Sequence, residues 1–228
     1  ELPGDTGNGL VRHNSWCNQT AEKLGFTDIV NRAVPCSSNP HIIRETMEWC
    51  AENHTRNPFV LISWTGTDRI FMRSPRQKGR NSQSVIRLTP GCLKSRPKEA
   101  APELLKMYEE LLYTEWGEWR TIQTRFLQEI LLLQTYLERL NLKYFFVTSI
   151  TPLDSWITRH EQPQASIRSM LNTKRMYKQF DQEHDGVYYT TCRAKFPYEV
   201  APNQHIGPDG QAWFAEQMYQ YISNQRLL

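Results

Sequence analysis

The chain has no hydrophobic run that approaches the roughly 20 residues needed to cross a bilayer. Its first residues, Glu1-Leu-Pro-Gly4, lack the basic flank and the apolar stretch of a signal peptide. We therefore expect a cytoplasmic protein that has no membrane partner.

Cysteine is also scarce. The chain has five cysteines, at positions 17, 36, 50, 92 and 192. An odd number at wide spacing excludes a disulfide framework and a zinc knuckle, and it favours reduced thiols. The six histidines lack the paired spacing typical of zinc, and the sequence has no glycine-rich phosphate loop or dinucleotide fingerprint. We therefore expect neither a metal nor a cofactor.

Acidic residues are absent from residues 69–98, which hold nine of the 27 Lys and Arg residues. The rest of the chain has 18 basic and 24 acidic residues, so this segment carries all of the positive excess. Its prolines and glycines predict a long loop or insertion over residues 69–100. This segment is either a solvated connection or a docking surface for nucleic acid, an anionic glycan or an acidic partner. Its candidate anion-binding residues are Arg69, Arg73, Arg76, Lys78 and Arg80.

The composition is that of one globular domain over residues 1–228, since 39% hydrophobic and 11% aromatic residues suffice for a packed core. Phe59–Trp64 and Lys143–Thr148 are nearly all apolar, as in strands covered on both faces, and a third strand is predicted near Asp28–Val34. Helical periodicity and capping signals predict helices over residues 14–24, 39–50, 102–113, 117–140 and 166–180 and from Pro208 onward.

Helices that alternate with buried strands indicate an α/β fold with a mostly parallel sheet. In such sheets, sites form at the carboxyl ends of the strands. One segment of this kind contains His205, which precedes a helix that starts at Pro208 and has an apolar side. This placement predicts that His205 lies at the rim of the core, where a catalytic base would act. The apolar side consists of Trp213, Phe214, Met218, Tyr221 and Ile222.

Five short motifs occur in order along the chain. They are Gly4-Asp-Thr6, Trp16 before Ala21-Glu-Lys-Leu-Gly25, Asn31-Arg-Ala-Val-Pro-Cys-Ser-Ser-Asn39, Ile62-Ser-Trp-Thr-Gly-Thr-Asp68 and finally His205. Together they resemble the SGNH (GDSL-type) hydrolases, and most of all the divergent SGNH-like proteins of tailed bacteriophages. The resemblance covers nearly the whole chain outside residues 69–100 and roughly 150–195.

The resemblance implies a three-layer α/β/α sandwich, of flavodoxin-like type, that hydrolyses acyl or acetyl esters. In the family, the serine of a Gly-Asp-Ser loop is the nucleophile, and a histidine before the last helix is the base. A glycine and an asparagine from the next two strand-end loops help to form the oxyanion hole. The chemistry needs this set because the hydroxyl must lose its proton as it attacks, and the oxyanion needs donors already in place.

Carried over to this chain, Thr6 stands at the nucleophile, Cys36 at the oxyanion glycine and Thr67 at the oxyanion asparagine. Only His205 is unaltered. The β-branch of threonine crowds the attacking oxygen, and Cys36 is an alternative nucleophile that could pair with His205 as a thiolate. Ser37 and Ser38 share the loop of Cys36 and are either further nucleophile candidates or caps for the helix that begins at Pro40. Asn39 is either an amide donor for the same hole or a cap for that helix.

The orienting carboxylate of the family commonly lies three residues before the histidine, where this chain has Pro202. Asp209, at the start of the last helix, is therefore the candidate for that role, and Asp154 is the alternative.

Two functional hypotheses follow. The first is an ester hydrolase for an acylated small molecule or glycan, with a histidine base and a hydroxyl nucleophile. The second is a catalytically impaired SGNH-like phage protein that binds nucleic acid or a virion protein through residues 69–98, either in the host cytoplasm or in the virion. The sequence leaves open whether the protein is an enzyme.

Overall fold

The computed structural model describes residues 15–34, 37–67, 69–73, 85–88, 102–113, 119–148, 162–177, 192, 195–196 and 206–228. Within these residues the fold is mixed α/β and mostly helical. The helices are α1 (Trp16–Lys23), α2 (Asn39–Asn53), α3 (Pro102–Tyr113), α4 (Trp119–Arg139), α5 (Gln162–Met170) and α6 (Pro208–Asn224). The strands are β1 (Phe59–Trp64), β2 (Ile70–Arg73), β3 (Val85–Leu88) and β4 (Lys143–Thr148), and short 3-10 helices cover His54–Arg56 and Thr173–Arg175.

The strands β1 and β4 pair in parallel, with Phe59 opposite Lys143 and Trp64 opposite Thr148. Both strands have the predicted bounds, and the predicted parallel pairing is confirmed. Met176 adds an isolated parallel bridge to Phe146. The strands β2 and β3 form a separate antiparallel ribbon.

One face of the parallel pair packs against α2, α4 and α5. Trp64 is fully buried there, with its ring centroid 5.7 Å from that of Phe126 and 5.3 Å from that of Phe146, both edge-on. The same cluster includes Ile43 of α2 and Ile130 of α4. Helical spacing in α4 places its apolar side chains on the side that contacts the strands.

The opposite face of the pair packs against α1 and α6. Successive side chains of a strand point to opposite faces, so Phe145 and Val147 lie in a second cluster with Phe214, Met218 and Ile222 of α6. These three α6 side chains are fully buried, which confirms the predicted apolar side of the last helix. Helices therefore contact both faces of the parallel pair.

The direction of α6 is fixed by contacts near its carboxyl end. Tyr221 lies 5.5 Å from Phe145 between ring centroids, and the carbonyl oxygen of Leu227 accepts a 2.6 Å hydrogen bond from Nη1 of Arg175. The Arg175 guanidinium also lies over the ring of Tyr144, near the start of β4. The amino end of α6 therefore points toward the carboxyl ends of the parallel strands.

The helix α1 has the same orientation. It runs parallel to α6, because Trp16 bonds to Gln211 and Lys23 bonds to Glu216. The chain that follows α1 returns to the amino end of β1, where the Phe26 ring stacks on that of Phe59 at 5.7 Å. The amino ends of α1 and α6 thus lie together at the edge where the parallel strands end.

Three predicted elements differ from the structure. Residues 29–34 form no strand, and the side-chain amide of Asn31 instead donates to Oδ1 of Asn18. Residues 70–73 and 85–88 are paired strands where the sequence predicted a loop. The helix predicted over residues 166–180 ends as α5 at Met170, because Met176 turns back to bridge Phe146.

Candidate active site

The amino end of α2 is tied to the carboxyl end of β1 by Asn39. Its Nδ2 donates to the carbonyl oxygen of Thr65 at 3.3 Å, and its Oδ1 accepts from the Thr65 N–H at 2.9 Å. Both residues are buried. Asn39 is the first residue of α2, and Ser38 occupies the N-cap position without a side-chain capping bond. The amide therefore holds helix and strand together instead of capping.

The loop that follows β1 is also held by α4. Nη2 of Arg125 donates to the carbonyl oxygen of Thr67 at 2.9 Å. Nε of Arg125 lies 3.7 Å from Oε1 of Glu129, one helical turn further on. Burial raises the pKa of Glu129 to about 7, although the positive charge of Arg125 partly opposes that rise. A carboxyl group that titrates near neutrality is thus linked to Thr67 through one side chain.

Gln211 connects the amino ends of α1 and α6. Its Oε1 accepts a 2.9 Å hydrogen bond from the N–H of Trp16, and its Nε2 donates to the carbonyl oxygen of Ile206 at 3.4 Å. Ile206 is buried and directly follows His205 in the sequence. One side chain therefore joins the residue after His205 to the start of the helix that follows the Thr6 segment.

A serine, a histidine and a glutamate lie in sequence along the start of α2. Oγ of Ser37 is 2.6 Å from Nδ1 of His41, and Nε2 of His41 is 3.5 Å from Oε1 of Glu45. Ser37 and His41 are buried, each with 7% of its surface exposed. The imidazole therefore has a hydroxyl on one ring nitrogen and a carboxylate on the other.

Two arginines hold the carboxylate of Glu45. Nη2 of Arg32 lies 3.2 Å from Oε2, and Nη2 of Arg44 lies 3.4 Å from Oε1. Burial alone would raise the pKa of Glu45, but the Arg32 hydrogen bond, the charge of His41 and the Arg44 hydrogen bond together lower it. Glu45 is therefore an ionised carboxylate at neutral pH.

The predicted site residues fall into two groups. Asn39 is buried at the α2–β1 junction, Thr67 and Arg69 are partly exposed in the loop after β1, and Asp209 is exposed in the first turn of α6. Arg73 is the last residue of β2. The remaining predicted residues lie outside the described part of the chain: Thr6, Cys36, Arg76, Lys78, Arg80, Asp154 and His205.

A family model described as a family of unknown function, DUF6071, matches residues 1–228. The chain belongs to the DUF6071 family. No curated protein and no solved structure matches this DUF6071 member significantly.

Three cysteines of this DUF6071 protein lie among its described residues, and all three are free thiols. Burial raises the pKa of Cys50 to about 11 and the pKa values of Cys17 and Cys192 to about 12. These three side chains therefore stay protonated at neutral pH and are not activated nucleophiles.

The described residues contain no group of three or more His, Cys, Asp or Glu side chains placed to hold a metal ion. None of the helices in that part of the chain is both long enough and apolar enough to cross a membrane.

Gln211, His41 and Glu45 were not predicted from the sequence, and Ser37 was predicted only as a helix cap or an alternative nucleophile. The bond from Trp16 to Gln211 spans 195 residues, and no local pattern indicates it. The set formed by Ser37, His41 and Glu45 had a visible signal, because a spacing of four residues places side chains on one face of a helix. Ser37 and Ser38 also fit the pattern of helix caps, and that interpretation requires no partner at His41.

Proposed function

We propose that this protein is an SGNH-like hydrolase of acyl or acetyl esters, with a three-layer α/β/α architecture. The observation that carries the proposal is the pair of hydrogen bonds made by Gln211. They join the residue after His205 to the start of α1. The proposal therefore places the histidine and the hydroxyl of Thr6 at one edge of the parallel strands.

The supporting framework is the arrangement of helices around that edge. The amino ends of α1, α2 and α6 all point to it, and each helix amino end has partial positive charge and N–H groups outside the helical ladder. Such groups stabilise an anion that forms during acyl transfer. Nδ2 of Asn39 has a second proton besides the one given to Thr65, and we propose that proton as an oxyanion donor.

In the proposed reaction, His205 takes the hydroxyl proton of Thr6 as its oxygen attacks the ester carbonyl. The tetrahedral oxyanion collapses, the C–O bond to the alcohol breaks, and His205 gives the proton to the departing alcohol. Water then releases the acyl group by the same steps. Asp209 orients His205, and the amino end of α6 favours its negative charge.

The test is hydrolysis of p-nitrophenyl acetate by the purified protein. We expect His205→Ala to lower kcat/KM by about 100-fold or more, the usual contribution of a general base. Thr6→Ala should do the same, whereas His54→Ala, in an exposed 3-10 helix, should match the wild type. Equal rates for His205→Ala and the wild type would remove His205 from the mechanism.

A second candidate function is binding of a polyanion through residues 69–98. The observation that favours it is the ribbon of β2 and β3, which lies within the segment that has nine basic residues and no acidic one. Two-stranded ribbons are among the elements that proteins place against nucleic acid. We propose that Arg69 and Arg73 contact phosphate, together with Arg76, Lys78 and Arg80.

This candidate predicts binding to duplex DNA that weakens steeply as salt concentration rises. A variant with Arg76, Lys78 and Arg80 changed to glutamine should lose much of that salt dependence. The matched control changes Lys106, Arg139 and Lys143 to glutamine, which are exposed cations outside residues 69–98. Binding that is absent, or insensitive to salt, would contradict this second function.

A further inference from the structure

The strongest cluster outside the proposed Thr6 and His205 pair is the one formed by Ser37, His41 and Glu45. The Ser37 hydroxyl lies within short hydrogen-bond distance of Nδ1 of His41, and Glu45 faces Nε2. Arg32 and Arg44 hold the carboxylate from two directions. A nucleophile, a base and an orienting carboxylate therefore follow one another in the order that covalent catalysis requires.

We propose that Ser37 is a second, acyl-accepting nucleophile, with His41 as its general base and Glu45 as the residue that positions His41. This reaction uses neither Thr6 nor His205, and it goes beyond the function proposed above. Its substrates are esters of short acyl groups such as acetate. Short groups are indicated because Ser37 is only 7% exposed, so a large acyl chain would clash.

The tautomer of His41 follows from its neighbours. In the proposal, neutral His41 has its proton on Nε2, which faces the Glu45 carboxylate at 3.5 Å, and the lone pair of Nδ1 faces the Ser37 hydroxyl at 2.6 Å. The arginines on Glu45 keep the carboxylate in place while the imidazole gains its second proton. This is the role that the third member of a catalytic triad has in hydrolases.

The reaction balances without any other reagent. His41 Nδ1 takes the Ser37 proton as Oγ attacks the ester carbonyl, and the C–O bond to the alcohol breaks as that proton passes to the alcohol oxygen. Water then attacks the acyl group on Ser37, giving one proton to Nδ1. The proton returns to Oγ as the carboxylic acid leaves, so the products are one acid and one alcohol.

The surroundings of Ser37 also suit a negatively charged intermediate. Ser37 lies just before the first turn of α2, where backbone N–H groups fall outside the helical ladder. Pro40 has no N–H, and the Ile42 N–H bonds to the carbonyl oxygen of Ser38. The Ser38 side chain makes no capping bond, so the proposal assigns the backbone N–H of Asn39 to an oxyanion formed beside Ser37.

The experiment is covalent labelling of the folded full chain with a small alkyl fluorophosphonate, followed by peptide mass spectrometry. We expect the adduct on Ser37 in the wild type and in a Thr6→Ala, His205→Ala double variant. Ser37→Ala should lose the adduct. His41→Gln should label about 100-fold more slowly because it lacks the base, and Glu45→Gln should label about 10-fold more slowly.

Two matched controls separate chemistry from structure. Ser38→Ala removes the neighbouring buried serine, and His54→Gln removes an exposed histidine; both should label at the wild-type rate. Thermal melts verify that each variant is folded. If His41→Gln does not fold, Glu45→Gln supplies the same test, because it leaves the Ser37–His41 pair in place.

The outcomes distinguish this proposal from the preceding one when p-nitrophenyl acetate hydrolysis is measured in a Ser37→Ala background, where the second site cannot turn over the substrate. No adduct on Ser37 in the wild type, or equal labelling rates for the wild type and both His41→Gln and Glu45→Gln, would overturn the second site. That result would leave the His205-dependent hydrolysis test unaffected. Labelling of Ser37 in a protein whose ester hydrolysis does not depend on His205 would support the second site alone.

Discussion

Among the described carboxyl groups, Glu129 has the largest shift of its pKa from the ordinary value. Burial raises its pKa to about 7, so the folded protein keeps a proton that the unfolded chain loses at lower pH. Folding therefore binds a proton between about pH 4.5 and pH 7, and the stability associated with this group is lost as pH rises through that range.

The free energy of unfolding of Glu129→Gln minus that of the wild type should increase by about 2 kcal/mol as pH rises from 5 to 8, because glutamine never ionises. Urea denaturation at the two pH values measures this difference. Glu48→Gln, at an exposed glutamate on α2, is the matched control. A constant difference between Glu129→Gln and the wild type would show that folding does not raise the pKa of Glu129.

Gln211 permits a second prediction at the scale of a single residue, and this prediction depends on the proposed esterase. Gln211→Ala removes the link between Trp16 and Ile206, so the segment with His205 loses a restraint. We expect kcat to fall about 10-fold with little change in KM, since small displacements of a base are costly. Gln211→Glu can still accept from Trp16 but cannot donate to Ile206, and it should be equally slow.

The control for that experiment is Gln220→Ala, because Gln220 lies on the same helix and bonds only locally, to Glu216, among its described contacts. Kinetics of p-nitrophenyl acetate hydrolysis measure all three variants. Wild-type kcat in Gln211→Ala would mean that the link does not position the base.

At the scale of secondary-structure elements, Asn39 joins α2 to β1. Asn39→Ala leaves the N–H and the carbonyl of buried Thr65 without their partners, and each unsatisfied buried group costs roughly 1–3 kcal/mol. We expect a loss of about 2–4 kcal/mol in the free energy of unfolding, measured with urea. Asn53→Ala, at the other end of α2, removes one partly buried bond to Trp49 and should cost about 1 kcal/mol. Similar losses for the two variants would contradict a special role for Asn39.

The same elements show how far the sequence could predict the fold. The strands β1 and β4 had the predicted bounds because each is a run of six residues, too short for a typical helix and rich in the aromatic and β-branched side chains of buried strands. The prediction of a strand near Asp28–Val34 was wrong. The side chains of Asn31 and Asn18 bond to each other there. The β2–β3 ribbon was missed because its strands have four residues each and lie among the prolines, glycines and basic residues that predict a loop.

For the candidate site, the sequence indicated residues but not their connections. Asn39, Thr67 and Asp209 were singled out from motif order, and the structure adds what holds two of them: Thr65 bonds to Asn39, and Arg125 bonds to Thr67. Such bonds join residues 26 and 58 positions apart in sequence. Periodicity is a local property, so it gives no information about pairs at these separations.

At the scale of the whole molecule, β4 supports two hydrophobic clusters from adjacent residues. Phe145 packs with α1 and α6, whereas Phe146 packs with α2, α4 and α5. Because both side chains are fully buried on one strand, damage to either cluster should weaken the pairing of β1 with β4. The predicted single domain then requires that both clusters unfold together.

We expect Phe145→Ala and Phe146→Ala each to lower the free energy of unfolding by about 3–5 kcal/mol, as for other buried phenylalanines. In each variant, tryptophan fluorescence and far-ultraviolet circular dichroism should report one coincident transition. Leu132→Ala, at a side chain of α4 that is 53% exposed, should change stability by no more than about 0.5 kcal/mol. Two separate transitions, only one of them shifted by Phe145→Ala, would show that the clusters unfold independently. In that case the chain would consist of two cooperative units that share a strand pair.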